Sequence, residues 1–230
     1  MNPTLNYLLL LQRKPILIKH AAGLMDFSVT NGKNLLWVFP DGTRSNESRP
    51  AKTVTAGVTR VFCDDWSAPN LELNDNSTNS NFLGSLADLQ GKLTYYIRLR
   101  DCSLVTGSLA DLQGKLTYLL DLYNCSLVTG SLADLQGKLT SYLTLYNCSL
   151  VTGVYTPSGA GTPSIINLSY TGLSSSDIDN TLIAIASAAT PKNGGTFTAT
   201  GMTRTAASDA AVTTLTSAPR NWTITGITKV

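Results

Sequence analysis

The stretch GSLADLQGKLTYLLDLYNCSLVT, residues 107–129, decides the fold, because nearly the same 23 letters stand before it at 84–106 and after it at 130–152. An internal repeat of this length is one structural unit that cannot bury its apolar faces alone, so neighbouring copies must cover them. Each copy holds an alternating core: Ile97-x-Leu99, Leu120-x-Leu122 and Leu143-x-Leu145. Alternation with period two predicts a short strand with one face buried. Cys102, Cys125 and Cys148 follow three residues later, then Leu104, Leu127 and Leu150. Both columns are expected to turn inward at the strand exit. The SLADLQ segment then fits one helical or 3₁₀ turn on the opposite side.

The same pattern extends outward. Leu71-x-Leu73-x-x-Asn76 precedes the copies, and Ile166-x-Leu168, Phe197-x-Ala199 and Trp222-x-Ile224 follow them. That makes seven expected rungs. Ser174 to Asp177 forms a capping signature before Ile178, Leu182, Ile185 and Ala189, which recur at helical spacing. A second, weaker helix is expected over 206–217, stopped by Pro219. TPSGAGTP, 156–163, reads as a loop.

The L-x-L-x-x-C-x-L pattern resembles the leucine-rich repeat. The LVTGSLADLQ segment is similar to the L-T-G-x-[IL]-P-x-x-L half of its plant-type subclass. The resemblance covers 84–152 and implies an α/β solenoid: a parallel β-sheet on the concave face, short turns or helices on the convex face, and an N-terminal β cap. Three regions are expected, a β-rich cap or attachment region at 1–63, the repeats at 64–153, and irregular repeats with helices and a cap at 154–230.

In the first region, Leu5–Leu11, Ile16–Lys19, Met25–Thr30, Leu35–Phe39 and Val58–Cys63 read as strands separated by NG and DG turns. LWVFPDGTRSNESRPAKTVTAG, 36–57, is similar to the W-x-F-G-D-G…P…Y…G signature of polycystic-kidney-disease-type β domains, in truncated form and without its Tyr. Asp41 and Asp64–Asp65 fit surface turns better than a Ca²⁺ site. MNPTLNYLLLLQRKPILIKH has no basic residue ahead of a short apolar run, unlike a signal peptide.

Composition narrows the function. Charged residues make up only 14% and the net charge is +2, so the basic footprint of a nucleic-acid binder is missing. No apolar run reaches the length of a membrane span. No CxxC or CxxH accompanies the four cysteines. Their 23-residue spacing fits a buried residue copied with its repeat better than a metal or disulfide cluster. No Ser/His/Asp set or phosphate loop is visible, so a non-enzymatic protein without cofactor or metal is expected.

Comparing the copies with one another points to a surface. All differences fall in the window 95–101 and its equivalents, and the sixteen columns outside it are identical. Ile97 to Leu120 conserves volume, whereas the outward columns run Arg98, Asp121, Thr144 and Arg100, Tyr123, Tyr146. Asp88, Gln90 and Lys92 are also expected to be exposed, yet their copies are unchanged. The candidate ligand-binding residues are therefore Tyr96, Arg98, Arg100, Asp101, Asp121, Tyr123, Tyr142, Thr144 and Tyr146. Tyr and Arg are the residues most enriched in interface hot spots, and a Tyr face suits a sugar ring. The resemblance extends to leucine-rich-repeat proteins of bacteriophage virions and bacterial surfaces. It implies a recognition or adhesion module on a tail fibre or virion surface, or at an extracellular surface. Such a module would meet a host-surface protein or glycan, and would be particle-bound through its N-terminal region or homo-oligomeric. A self-assembling subunit of a virion, filament or surface layer is the alternative, and an intracellular scaffold fits the composition less well.

Overall fold

The structure is a computed structural model describing residues 14–25, 27–64, 70–73, 83–89, 92–112, 114–158, 161–189 and 192–230. The expected strand at Leu5–Leu11, together with Asp65, Asn76, Gln90 and Gln113, lies outside the described residues.

The first elements are β1 (Ile16–His20), β2 (Gly23–Met25), β3 (Phe27–Thr30), β4 (Leu36–Val38), β5 (Arg44–Ser45), β6 (Lys52–Val54) and β7 (Gly57–Phe62). Antiparallel pairing gives a four-stranded sheet in the order β1-β7-β4-β5, and β2 pairs with β6. The DG pair closes the β4–β5 hairpin. Gly42 takes φ +80°, a conformation that carries no steric cost without a Cβ, and the Asp41 carboxylate accepts from Thr43 N–H at 3.0 Å.

The repeats supply the second part. Here lie β8 (Asn70–Leu73), β9 (Tyr96–Leu99), β10 (Leu119–Asp121), β11 (Thr129–Ser131), β12 (Tyr142–Thr144), β13 (Leu150–Thr152), β14 (Ile165–Asn167), β15 (Thr196–Arg204) and β16 (Thr223–Lys229). Helix α1 (Ser175–Ala186) precedes β15 and α2 (Asp209–Thr216) precedes β16. One eight-stranded sheet runs β16-β15-β14-β12-β10-β9-β8-β3. Six of its pairings are parallel, and the β3–β8 pairing is antiparallel. The N-terminal module thus lends β3 to the end of the repeat sheet. The Leu83 N–H bond to Lys19 O and the Lys19–Asp88 ion pair at 3.2 Å tie β1 to the first copy. One continuous apolar cluster extends from Ile16 to Trp222.

The expected α/β solenoid is therefore corrected. Antiparallel sheets stand beside a largely parallel one, and only two α-helices lie among the described residues. The cause is local. In each copy the helical part of the crossover is four residues, LADL, which close a single 3₁₀ turn at Leu86–Leu89, Leu109–Leu112 and Leu132–Leu135. Ser131 N–H donates to Asp134 Oδ2 at 3.0 Å while Ser131 Oγ accepts from Ala133 N–H at 3.2 Å. The other two copies repeat this cap with Ser85–Asp88 and Ser108–Asp111. A turn so short and so tightly capped leaves no length for an α-helix. The crossovers after β14 and β15 carry the two α-helices instead. There Ser174 and Asp177 build the capping box of α1, where Ile178, Leu182 and Ile185 are buried.

Two further expectations change. Leu104, Leu127 and Leu150 do not turn inward; they are 51%, 43% and 51% exposed, and Val105, Val128 and Val151 fill the core instead. A tight turn in each copy places the valine, with Val128 N–H bonding to Cys125 O at 3.1 Å. In the last strand Ile224, not Trp222, stands beside Phe197. Trp222 is buried two residues earlier, its indole N–H on Lys192 O at 2.6 Å.

Candidate recognition surface

Ile97 and Leu99 point into the core, so Tyr96, Arg98 and Arg100 stand on the opposite, outward face of the sheet. Parallel register lines the copies up. Tyr96 lies beside Leu119, then Tyr142; Arg98 lies beside Asp121, then Thr144. The Asp101 N–H bond to Tyr123 O and the Asn124 N–H bond to Tyr146 O bring Arg100, Tyr123 and Tyr146 into the next line.

Six of the nine candidate residues meet in one cluster. Arg100 Nε donates to Asp121 Oδ2 at 2.6 Å, and Arg98 Nε lies 3.5 Å from the same oxygen. Asp121 is only 3% exposed because the two arginines cover it, and its other oxygen accepts from Tyr123 N–H at 3.3 Å. The Arg98 guanidinium lies over the Tyr96 ring at 5.2 Å, and that of Arg100 over Tyr123 at 5.8 Å. Tyr123 and Tyr146 stack with centroids 4.4 Å apart and planes 6° from parallel, and Tyr170 meets Tyr146 edge-on. Tyr142 is 38% exposed one line away, and Thr144 is buried between its neighbours.

This geometry changes what the tyrosines offer. The facing sides of Tyr123 and Tyr146 are occupied by one another, and Arg100 lies against Tyr123, so edges and hydroxyls remain for a ligand. Tyr142, 38% exposed and outside the Tyr123–Tyr146 stack, offers the most accessible tyrosine ring among the candidates. Asp101 has a backbone role. With φ +57° it starts a column of left-handed residues, followed by Asn124 at +60°, Asn147 at +57° and Tyr170 at +54°. Asn124 Nδ2 donates to Asp101 Oδ1 at 2.6 Å, and Asn147 Nδ2 to Asn124 Oδ1 at 3.2 Å. Asp and Asn tolerate this conformation better than other residues with a Cβ, which accounts for the narrow D/N/N variation.

Tyr95, Tyr118 and Tyr170 escaped selection from the sequence. Tyr95 and Tyr118 stack at 4.6 Å, flanking the cluster's first line. Tyr170 was detectable, because it precedes Thr171 as Asn147 precedes Cys148. The unchanged Asp88, Asp111 and Asp134 lose their value as exposed controls, since each caps its turn. Leu104 and its copies replace them, being exposed and invariant.

The four cysteines are buried free thiols, Cys102, Cys125 and Cys148 within the repeats and Cys63 just after β7. Cys125 Sγ–H donates to Leu99 O and Cys148 Sγ–H to Leu122 O, each at 3.0 Å. The neighbouring Cys102 thiol, together with burial, raises the Cys125 pKa far above the usual thiol range, and burial pushes Cys148 up to about 12. Among the described residues no group of three or more His, Cys, Asp or Glu is placed to hold a metal ion. His20 is buried, with ring nitrogens 2.8 Å from Thr59 Oγ1 and 3.1 Å from Ala21 O. Among the described residues no helix is long and apolar enough to cross a membrane. Comparison with protein-family models, curated proteins and solved structures returned no match for this chain.

Proposed function

We propose that this chain is a non-enzymatic recognition module. In this reading it is displayed on a virion or at another extracellular surface and binds a host-surface protein or glycan through the outward face of the repeat sheet. One observation carries the reading. The columns that differ between otherwise identical copies meet in the Arg98–Asp121–Arg100 cluster and the Tyr123–Tyr146 stack. Exposure alone does not explain the variation, because Leu104, Leu127 and Leu150 are exposed and unchanged. Ion pairing and stacking also fix the side chains before a ligand arrives, which lowers the entropy cost of binding. Display on a virion is supported by the leucine-rich-repeat resemblance of 84–152. Attachment through the N-terminal module fits the same reading.

The test is binding of labelled protein to a panel of bacterial surfaces, beside a variant with Arg98, Arg100, Tyr123 and Tyr146 changed to Ala. Binding is expected to fall in the variant while its unfolding transition stays cooperative. Equal binding by both proteins refutes the assignment of this face. A second reading, a self-assembling structural subunit, is favoured by the exposed leucine row. It predicts that purified protein sediments as large particles without any ligand, and that Leu104, Leu127 and Leu150 changed to Ser abolish them.

A further inference from the structure

We propose that the outward face of β14, β15 and β16 is a binding site for an uncharged, extended polysaccharide, contacted by Asn167, Thr196, Thr198, Thr223 and Thr225. This assignment rests on the recognition reading above and gives it a ligand class and a second place on the sheet. None of the five residues belongs to the variable cluster.

Register builds the site. Asn167 stands beside Thr198 and Thr198 beside Thr225, while Thr196 stands beside Thr223. Adjacent strands lie roughly 4.8 Å apart and alternate residues roughly 6.6 Å apart along a strand. The side chains therefore form a grid of hydroxyl and amide groups on a repeating interval. Thr198 Oγ1 and Thr225 Oγ1 are 3.3 Å apart, so neighbouring hydroxyls orient one another. Threonine is stiff at χ1, which holds the grid in place, and each hydroxyl both donates and accepts.

The surface is open where the variable cluster is closed. Asp121 and Thr144 are buried under their neighbours, whereas Asn167, Thr196 and Thr198 are half-exposed and Thr223 and Thr225 exposed. Charge selects the ligand. From β12 onward the two lines read Tyr142, Ile165, Thr196, Thr223 and Thr144, Asn167, Thr198, Thr225, with no acidic or basic side chain. An ionic ligand would find no counter-charge there. A protein partner would find few of the Trp, Tyr and Arg anchors that dominate protein interfaces, where threonine is under-represented. A neutral chain of sugar rings supplies many donors and acceptors at a regular interval, and gains strength by repeating a weak contact. The exposed Tyr142 and half-buried Ile165 at the start of one line offer apolar surface to sugar C–H groups.

Threonine also favours exposed strands for backbone reasons, and substitution by valine separates the two roles, since valine keeps the β-branch and removes the hydroxyl. The experiment measures depletion of the full chain from solution by insoluble chitin, cellulose, β-1,3-glucan and mannan, with anionic alginate as the charged control. Wild type is expected to bind at least one neutral polysaccharide and to ignore alginate. The Thr196→Val/Thr198→Val/Thr225→Val variant is expected to bind roughly tenfold or more weakly. A Thr198→Ser/Thr225→Ser variant, which keeps the hydroxyls, is expected to retain binding. Undiminished binding by the valine variant overturns the site. Wild type that ignores every neutral polysaccharide but binds alginate or a bacterial surface protein overturns the site and leaves the recognition reading standing. Wild type that binds no bacterial surface and no polysaccharide overturns both.

Discussion

Truncating Val128 should cost this protein more than truncating the larger Leu127 beside it. Val128 is fully buried, whereas Leu127 is 43% exposed. Val128→Ala removes two carbons from the core, about 1.6 kcal/mol at about 0.8 kcal/mol each. The cavity left behind raises this to about 2–3 kcal/mol. Leu127→Ala removes three carbons, but the side chain is nearly half in water and solvent fills the space, so about 1 kcal/mol or less is expected. For a chain of this size, roughly 2–4 °C of Tm accompanies each kcal/mol. The valine variant should melt roughly 4–12 °C lower and the leucine variant no more than about 4 °C lower. Urea unfolding provides the second readout, as a shift in midpoint at constant slope. A Leu127→Ala loss equal to or larger than the Val128→Ala loss refutes the inward placement of valine.

Three further outcomes follow from the geometry. Gly130→Ala should destabilise by more than about 1 kcal/mol in urea, because its Cβ would lie 2.8 Å from Leu109 N at φ +109°; Gly42→Ala meets nothing within 4 Å and should show only the milder cost of positive φ. Burial opposes ionisation of Asp179, but donors from Ser208 and Thr205 outweigh it and hold the carboxyl pKa below its usual value. A depressed folded pKa gives stability that is complete above the unfolded value, about 3.9, and is lost as pH falls through the folded one. Wild type should therefore lose Tm below about pH 4 more steeply than Asp179→Asn, and equal slopes would rule this out. Iodoacetamide at pH 8 should leave Cys125 and Cys148 unmodified in the folded protein and label them in urea, as read by mass spectrometry; rapid labelling without denaturant would contradict their burial.

The alternation of Ile97 and Leu99 was legible because a strand has one period and one buried face. So was the Ser174 cap, whose side-chain chemistry is local. The Leu104 column was misread because alternation was carried past the strand end. After the left-handed Asp101 and its counterparts the chain turns, period two no longer holds, and Val105, one residue beyond the exposed Leu104, points inward. The class was misjudged for another reason: the repeat pattern of 84–152 was extended to the whole chain, whereas the N-terminal strands form antiparallel sheets of their own and add β3 antiparallel to the repeat sheet. At the candidate surface, the copies disclosed which columns vary. They did not disclose that Arg100 reaches back to Asp121 on the neighbouring strand, because long side chains choose partners in three dimensions.

The copies also meet one another through the same bonds. Thr117 Oγ1–H donates to Thr94 O and Thr140 Oγ1–H to Thr117 O; Cys125 binds Leu99 O as Cys148 binds Leu122 O. These bonds to backbone oxygens recur from one junction to the next, whereas the Arg98–Asp121–Arg100 pairs and the Tyr123–Tyr146 stack do not. Gain or loss of one 23-residue copy would therefore lengthen or shorten the sheet by one strand spacing, roughly 4.8 Å, on the same set of bonds to backbone oxygens. The span of the outward face is in this sense a count, adjustable in whole steps of one strand.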